Sequence, residues 1–266
     1  MSEFNPNTYW ESRLTKIKGL EGVGYSRLGK QFNFWAYKVR KVAFLKALQE
    51  NDIIVKGKNV LDIGSGTGFY VDIFRVLQAG NVTGMDITDQ AVANLKTTFP
   101  QYEFLKMDIG EPLPEDSLLI QSFDVISCMD VLFHIVEDKR FEVAFENISK
   151  MLKPGGIFIY SDNFLNKETI RTKHQVSHSK KTLMDIFHKN GLQLFYHAPF
   201  MVLSNYPIDS NNVFLKGYWF ILENTLAMVN MLGHAAGSLL YLVDKVLIKV
   251  VKDSPTSEIV VLRKEK

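Results

Sequence analysis

Cysteine is nearly absent: Cys128 stands alone among 266 residues. No intrachain disulfide can form, so the fold must rest on its core. A chain of this length, 46% hydrophobic, can bury enough to do so. An excess of charge of one sign is also missing. Thirty-one Lys and Arg against 29 Asp and Glu leave a net charge of +2, too little to ask for a nucleic acid or an acidic partner. The opening MSEFNPNTYWESRL has no basic start leading into an apolar core. No secretory signal is therefore expected, and the protein is expected to be cytoplasmic. Internal repeats and low-complexity tracts are lacking too.

One long uncharged run complicates the picture. Residues 225–243 have the length of a bilayer span, but Asn230, Gly233, His234, Gly237 and Ser238 make the run polar for one. It reads as two buried helical pieces broken near Gly233 and Gly237, and membrane contact is not expected. The alternative is docking on a bilayer through residues 213–252, which Lys245, Lys249 and Lys252 accompany.

The rest of the chain alternates strand and helix patterns. Residues 6–51 read as helices, with Phe32, Trp35, Val39, Val42, Leu45 and Leu48 on one apolar face. Strand patterns then alternate with helices, one of which stops at Gly80 and another of which is capped by Thr88 or Asp89 and ends before Pro100. KPGG is expected to turn the chain after a helix at about 137–152, and Asn190–Gly191 to close a later helix. The pattern predicts a doubly wound α/β sheet. Its expected divisions are a helical cap (1–51), an α/β core (52–210), a helical insert acting as a lid (211–252) and a last strand (253–266).

VLDIGSGTGFYV, residues 60–71, is the most informative stretch. A dinucleotide fingerprint would put a glycine or alanine where Phe69 stands. A phosphate-binding loop would need a lysine at the helix start, and none follows until Lys96. Asp62 beside the loop suits a ligand that carries a cation, and a helix N-terminus favours a carboxylate. S-adenosylmethionine has an ammonium, a carboxylate and a sulfonium, and no phosphate. Asp86, ending the second strand, is placed to accept from both ribose hydroxyls. Asp108, ending the third, is placed to accept from an adenine amino group.

VLDIGSGTG, GMDIT, FLKMDI, FDVISCMDVLFHI and LKPGGIFIYSD follow in order over about residues 58–163. In these motifs the chain resembles the class I S-adenosylmethionine-dependent methyltransferases that act on small molecules. The resemblance implies a Rossmann-like, seven-stranded sheet with N-terminal helices and a helical insert before the last strand. It implies cofactor contacts at Asp62, Gly64, Ser65, Gly66, Gly68, Asp86, Ile87, Asp108, Ile109 and Met129, with backbone contacts near Cys128. In small-molecule members an N-terminal aromatic often closes over the sulfonium, and Tyr25 is the candidate here.

The implied activity is transfer of a methyl group from S-adenosylmethionine to a small-molecule acceptor. The favoured acceptor is a hydroxyl of a natural-product, aromatic or isoprenoid-type metabolite. A hydroxyl needs a base, and His134, His174 and His178 are the catalytic candidates, His174 ranking above His178. Asp130, Asp162 and Asn163 sit where catechol-type members hold magnesium, but the N-terminal extension and the insert do not resemble that subfamily, so no metal is expected. CMDV after the fourth strand is not the Asn/Asp-Pro-Pro-Tyr/Phe signature of enzymes that methylate exocyclic amines. The alternatives are a membrane-docked methyltransferase of a lipid-like acceptor and, outside enzymes, a cofactor-binding scaffold without catalysis. Oligomeric state is left open.

Overall fold

The computed structural model describes residues 4–266. Its elements run α1 (Pro6–Lys16), α2 (Leu20–Val23), α3 (Gly29–Glu50), β1 (Asn59–Ile63), α4 (Phe69–Val76), β2 (Asn81–Asp86), α5 (Asp89–Thr98), β3 (Glu103–Lys106), β4 (Phe123–Cys128), α6 (Asp138–Met151), β5 (Leu152–Asp162), β6 (Ile170–Arg171), β7 (Val176–Ser177), α7 (Lys180–Lys189), β8 (Leu192–Met201), α8 (Val213–Met228), α9 (Gly233–Val250) and β9 (Ser257–Lys264). Local chemistry sets several boundaries. Thr88 caps α5 by accepting from the Ala91 N–H, and Ser179 caps α7 by accepting from Thr182, each at 3.2 Å. Gly191, at φ +61°, closes α7.

Seven strands form one sheet in the order β3-β2-β1-β4-β5-β9-β8, the doubly wound α/β arrangement expected. β1 runs parallel to β2 and β4, β2 to β3, and β4 to β5. The order reverses between β1 and β4. Ligands of such sheets gather beyond the carboxyl ends at that switch point. Asp62 stands there, in register with Gly84 on β2 and Ser127 on β4.

Four local expectations need correction. The turn after α4 is made by Gln78, at φ +59°, and not by Gly80. Gly80 is required for another reason: a Cβ there would stand 2.7 Å from the Gly57 carbonyl oxygen. KPGG does not turn the chain between helix and strand. β5 begins directly at Leu152, and the pairing slips from Phe123↔Leu152 to Val125↔Ile157, so residues 153–156 bulge out of the ladder. The segment after β5, read as open loop, folds into the antiparallel β6–β7 ribbon. The apolar stripe of α3 is rotated from the one expected. Phe32, Val39 and Leu48 are buried as read, but Ala36, Ala43, Phe44 and Ala47 complete the face while Trp35, Val42 and Leu45 are half-buried.

The chain folds as two compact units. One comprises the residues up to Ser12, residues 53–196 and residues from Val260 onward; the other comprises 13–52 and 197–259. The core of the first is built from sheet and flanking helices. Phe158 and Tyr160, two apart on one face of β5, stack at 5.0 Å, and Phe145 of α6 meets both edge-on. In the second, Leu28, Phe32 and Ala36 pack with Trp219 and Leu226 of α8 and Leu240 of α9. The insert breaks at 229–232, close to the expected place. It is not buried, however. Only Trp219 and Leu226 of α8 and a narrow stripe of α9 lie inside, and the opposite faces are exposed.

Candidate cofactor and acceptor site

The loop after β1 is glycine-rich because its backbone demands it. Gly64, Gly66 and Gly68 all have positive φ (+72°, +52° and +82°). Space is short as well. A Cβ on Gly64 would stand 2.2 Å from Val131 Cγ2, and one on Gly68 would stand 2.5 Å from the Phe99 ring. The Gly64 and Ser65 N–H groups donate to the Met85 carbonyl at 2.7 and 3.0 Å, fastening the loop to β2. These glycines are therefore explained by protein packing alone and do not by themselves indicate a ligand.

Asp62 does. Its side chain is 2% exposed. Oδ1 accepts from the Ser127 hydroxyl at 2.6 Å, while Oδ2 is buried with no partner. Burial, opposed by the Ser127 hydrogen bond, pushes the carboxyl up to about 7. Ser65 donates its hydroxyl to the Asp62 carbonyl at 2.8 Å, so it braces the loop with its side chain. A buried carboxylate oxygen left unpaired is costly unless a donor or cation arrives. The ammonium of S-adenosylmethionine fits that need.

Asp86 is also buried, and burial raises its carboxyl above the usual range. It accepts from the Gly66 N–H at 2.9 Å and from the Thr88 N–H and hydroxyl at 3.0 and 2.7 Å. A carboxylate offers about four acceptor positions, so one is left where two ribose hydroxyls were expected. Asp108 lies two residues beyond β3, not at its end. It accepts from the Gly110 N–H at 2.9 Å and from Arg140 of α6 at 2.6 Å. Ile109 and Met129 are buried, and Ile87 is half-buried with its carbonyl taken by Asn7 Nδ2 at 2.5 Å.

Asn7 belongs to a contact the sequence did not announce. Glu11 of α1 accepts from the Gln90 N–H at 3.2 Å. Trp10 meets the His134 ring edge-on at 5.0 Å, while Phe4 and Tyr9 pack on His174 at 4.6 and 5.9 Å. His134 Nδ1 lies 3.2 Å from the His174 carbonyl oxygen. Two of the three histidines are thus brought together within an aromatic wall. The third is placed differently. His178 is buried, stacks on Phe141 at 4.0 Å, and has Nε2 3.7 Å from Asp138. Burial lowers its pKa, opposed by the neighbouring Asp138 carboxylate.

Backbone strain marks the ends of β4 and β5. Asp130 and Phe164 have φ of +58° and +47° without being glycine. The Asp130 N–H donates to Ser161 Oγ at 2.7 Å, and that hydroxyl donates to Asp130 Oδ1 at 2.9 Å. Asp162 is fully buried, and burial pushes it up to about 7. Oδ1 takes the Asn163 N–H at 2.6 Å, while Oδ2 has no partner. The Asn163 amide donates to Ser177 at 2.6 Å. Tyr25 lies in the second unit, with Asn33 clasping its backbone at 2.7–2.8 Å, its hydroxyl on Asn205 and its ring 5.5 Å from Trp219.

A methyltransferase-domain profile matches residues 54–212, more than half of the chain. The chain belongs to the methyltransferase domain family. The sheet order of this methyltransferase is that of the class I S-adenosylmethionine-dependent enzymes. A ubiquinone biosynthesis O-methyltransferase of Coxiella burnetii is 32% identical over 116 residues, covering 42% of this chain and 46% of that protein. A sterol 24-C-methyltransferase of Gibberella zeae is 25% identical over 196 residues, covering 62% and 48%. The matched region thus spans about half the length of these relatives. An S-adenosylmethionine-dependent methyltransferase of Mesorhizobium loti superposes with a TM-score of 0.52 at 16% identity, over 84% of this chain and 98% of that one. At that identity the likeness speaks for the fold alone.

Proposed function

We propose that this methyltransferase transfers a methyl group from S-adenosylmethionine to a hydroxyl oxygen of a small, largely apolar acceptor. The observation that carries the cofactor reading is the buried, unpartnered Oδ2 of Asp62 beside the glycine loop. S-adenosylmethionine, when bound, supplies an electrophilic methyl on a cationic sulfur. Asp62 holds its ammonium, and Asp86 accepts from one ribose hydroxyl while keeping the Gly66 N–H.

His134 is the base in this reading. A ring nitrogen facing a carbonyl oxygen must be the one that bears hydrogen, so the contact of Nδ1 with the His174 carbonyl places the lone pair on Nε2. Nε2 would take the acceptor's hydroxyl proton, freeing the oxygen to accept the methyl group that bound S-adenosylmethionine would supply. His174 acts through its carbonyl as a positioning residue. Phe4, Tyr9 and Trp10 supply aromatic walls beside the two histidines. That the Coxiella relative is an O-methyltransferase supports a hydroxyl acceptor, and that the Gibberella relative is a C-methyltransferase keeps carbon as the second reading. The lone, buried Cys128 thiol accords with work in a reducing cytoplasm.

Calorimetric titration with S-adenosylhomocysteine, with NAD as comparison and Asp86→Ala as control, tests the cofactor. Binding of S-adenosylhomocysteine alone, weakened in the variant, is expected; binding of NAD instead would sink the assignment. A panel of phenols and aliphatic alcohols then tests the acceptor. Methylation at carbon in place of oxygen would turn the reading to the second alternative.

A further inference from the structure

The second unit carries apolar surface that its core does not use. α9 is fixed on its inner side. Gly237 packs where a Cβ would stand 2.9 Å from the Trp35 ring, and buried Asp244 accepts from the Leu203 and Ser204 N–H groups at 2.8 and 3.0 Å. The outer side repeats Leu239, Leu242, Val246 and Val250 at helical spacing, all exposed. α8 likewise exposes Phe214, Phe220 and Ile221, and Met231 in the connecting turn is 90% exposed. Soluble monomers rarely leave so continuous an apolar face to water.

Charge tells what the face meets. Between Lys216 and Lys245 the only Asp, Glu, Lys or Arg side chains are Glu223 and Asp244, with His234 the one other titratable imidazole or amine. Neither acid opposes an anion at the surface: Glu223 is paired with Arg27 at 3.0 Å, and Asp244 is buried on backbone amides. Lys245, Lys249 and Lys252 then follow, all exposed. The face is thus apolar along both helices and cationic at one end. An apolar groove of about 520 Å³, lined by Phe214, Tyr218, Ile221, Leu222 and Leu226 among others, runs between the helices and offers room for a lipid chain.

We propose that the outer faces of α8 and α9 dock on an anionic bilayer surface, lying in the interface with the lysines against the headgroups. The chain does not cross. The helical run Asn230–Val250 is long and apolar enough to span a bilayer, but β8 before the insert and β9 after it lie side by side in one sheet, so a single crossing would separate them. Docking stands independently of the methyl-transfer reading.

The test is flotation of the full chain with vesicles of phosphatidylcholine alone or mixed with phosphatidylglycerol, beside sedimentation equilibrium without lipid. Flotation with the mixed vesicles, weakened by salt, is expected. Leu242→Glu with Val246→Glu should abolish it, and removing Lys245 and Lys249 as alanines should lower partitioning about fivefold per lysine. S-adenosylhomocysteine affinity should stay unchanged in every variant, which reports an intact fold separately. Absence of flotation with anionic vesicles overturns the proposal, as does a stable dimer that Leu242→Glu dissociates while vesicles go unbound.

Discussion

Ser127 donates its hydroxyl to Asp62 Oδ1 at 2.6 Å, across the register pair that joins β4 to β1. That bond satisfies one oxygen of a buried carboxylate and leaves the other buried without a partner. Under the proposed function, the same burial that makes Asp62 costly in the free protein is what would favour a cation beside it.

A pH dependence follows. Asp62 rises from 3.8 to about 7 in the folded chain. The folded state therefore holds this proton more tightly than the unfolded state. Its contribution to stability is fully present below pH 4 and is lost as pH rises through about 7. An ammonium selects the ionised form, so ligand binding should expel a proton. Affinity for S-adenosylhomocysteine should rise with pH below neutrality, by up to about tenfold per unit, and level off above. Calorimetry in two buffers of different ionisation enthalpy measures the released proton. Asp62→Asn should bind more weakly and lose the slope; an unchanged slope would assign it to another group.

Gly64 and Val131 form a pair that a double-mutant cycle can separate. Gly64→Ala pays for a left-handed alanine and for the approach of Cβ to Val131 Cγ2 at 2.2 Å. The expected loss is about 2–4 kcal/mol by urea unfolding. In a Val131→Ala background only the backbone part, roughly 1–2 kcal/mol, should remain. Equal losses in both backgrounds would show that Val131 moves aside freely.

The sheet was legible because its signals are local. Strand-length apolar runs, the Thr88 cap and Gly191 each state their role within a few residues. Asp62 and Asp86 were found because acids interrupt otherwise apolar strand ends. What stayed hidden depends on distant pairings. Ser127 looks like an ordinary strand serine until register sets it against Asp62. Arg140 reaches Asp108 from α6, 32 residues away. Trp10 meets His134 only after the chain has folded back. His178, a candidate base in the sequence, is buried against Phe141, a pairing that only the fold brings about. The outward faces of α8 and α9 were hidden by composition, since a buried helix and an interfacial one share it.

His134 can be tested apart from cofactor binding. His134→Gln keeps a donor and much of the shape but cannot hold a proton at neutral pH. It should lower kcat by about 10²–10⁴ toward a hydroxyl acceptor while S-adenosylhomocysteine affinity stays unchanged. Phenols acidic enough to ionise without help should recover most of the rate. If the loss is the same for acidic and weakly acidic phenols, His134 positions the acceptor and another group takes the proton.

Asp244 offers a test of the second unit. Its carboxylate gathers the Leu203 and Ser204 N–H groups, with Val202 at 3.5 Å, and so ties α9 to the turn after β8. Asp244→Ala strips buried N–H groups of a charged acceptor, and about 3 kcal/mol of stability should go with it. Trp35 and Trp219 both lie in this unit, so their fluorescence reports its unfolding in urea. Trp10 lies in the other, and Trp10→Phe removes its contribution. An early Trp35 and Trp219 transition, with S-adenosylhomocysteine still bound, would show that the unit bearing the apolar face opens before the sheet. A single shared transition would show that Asp244 stabilises the chain as one cooperative body.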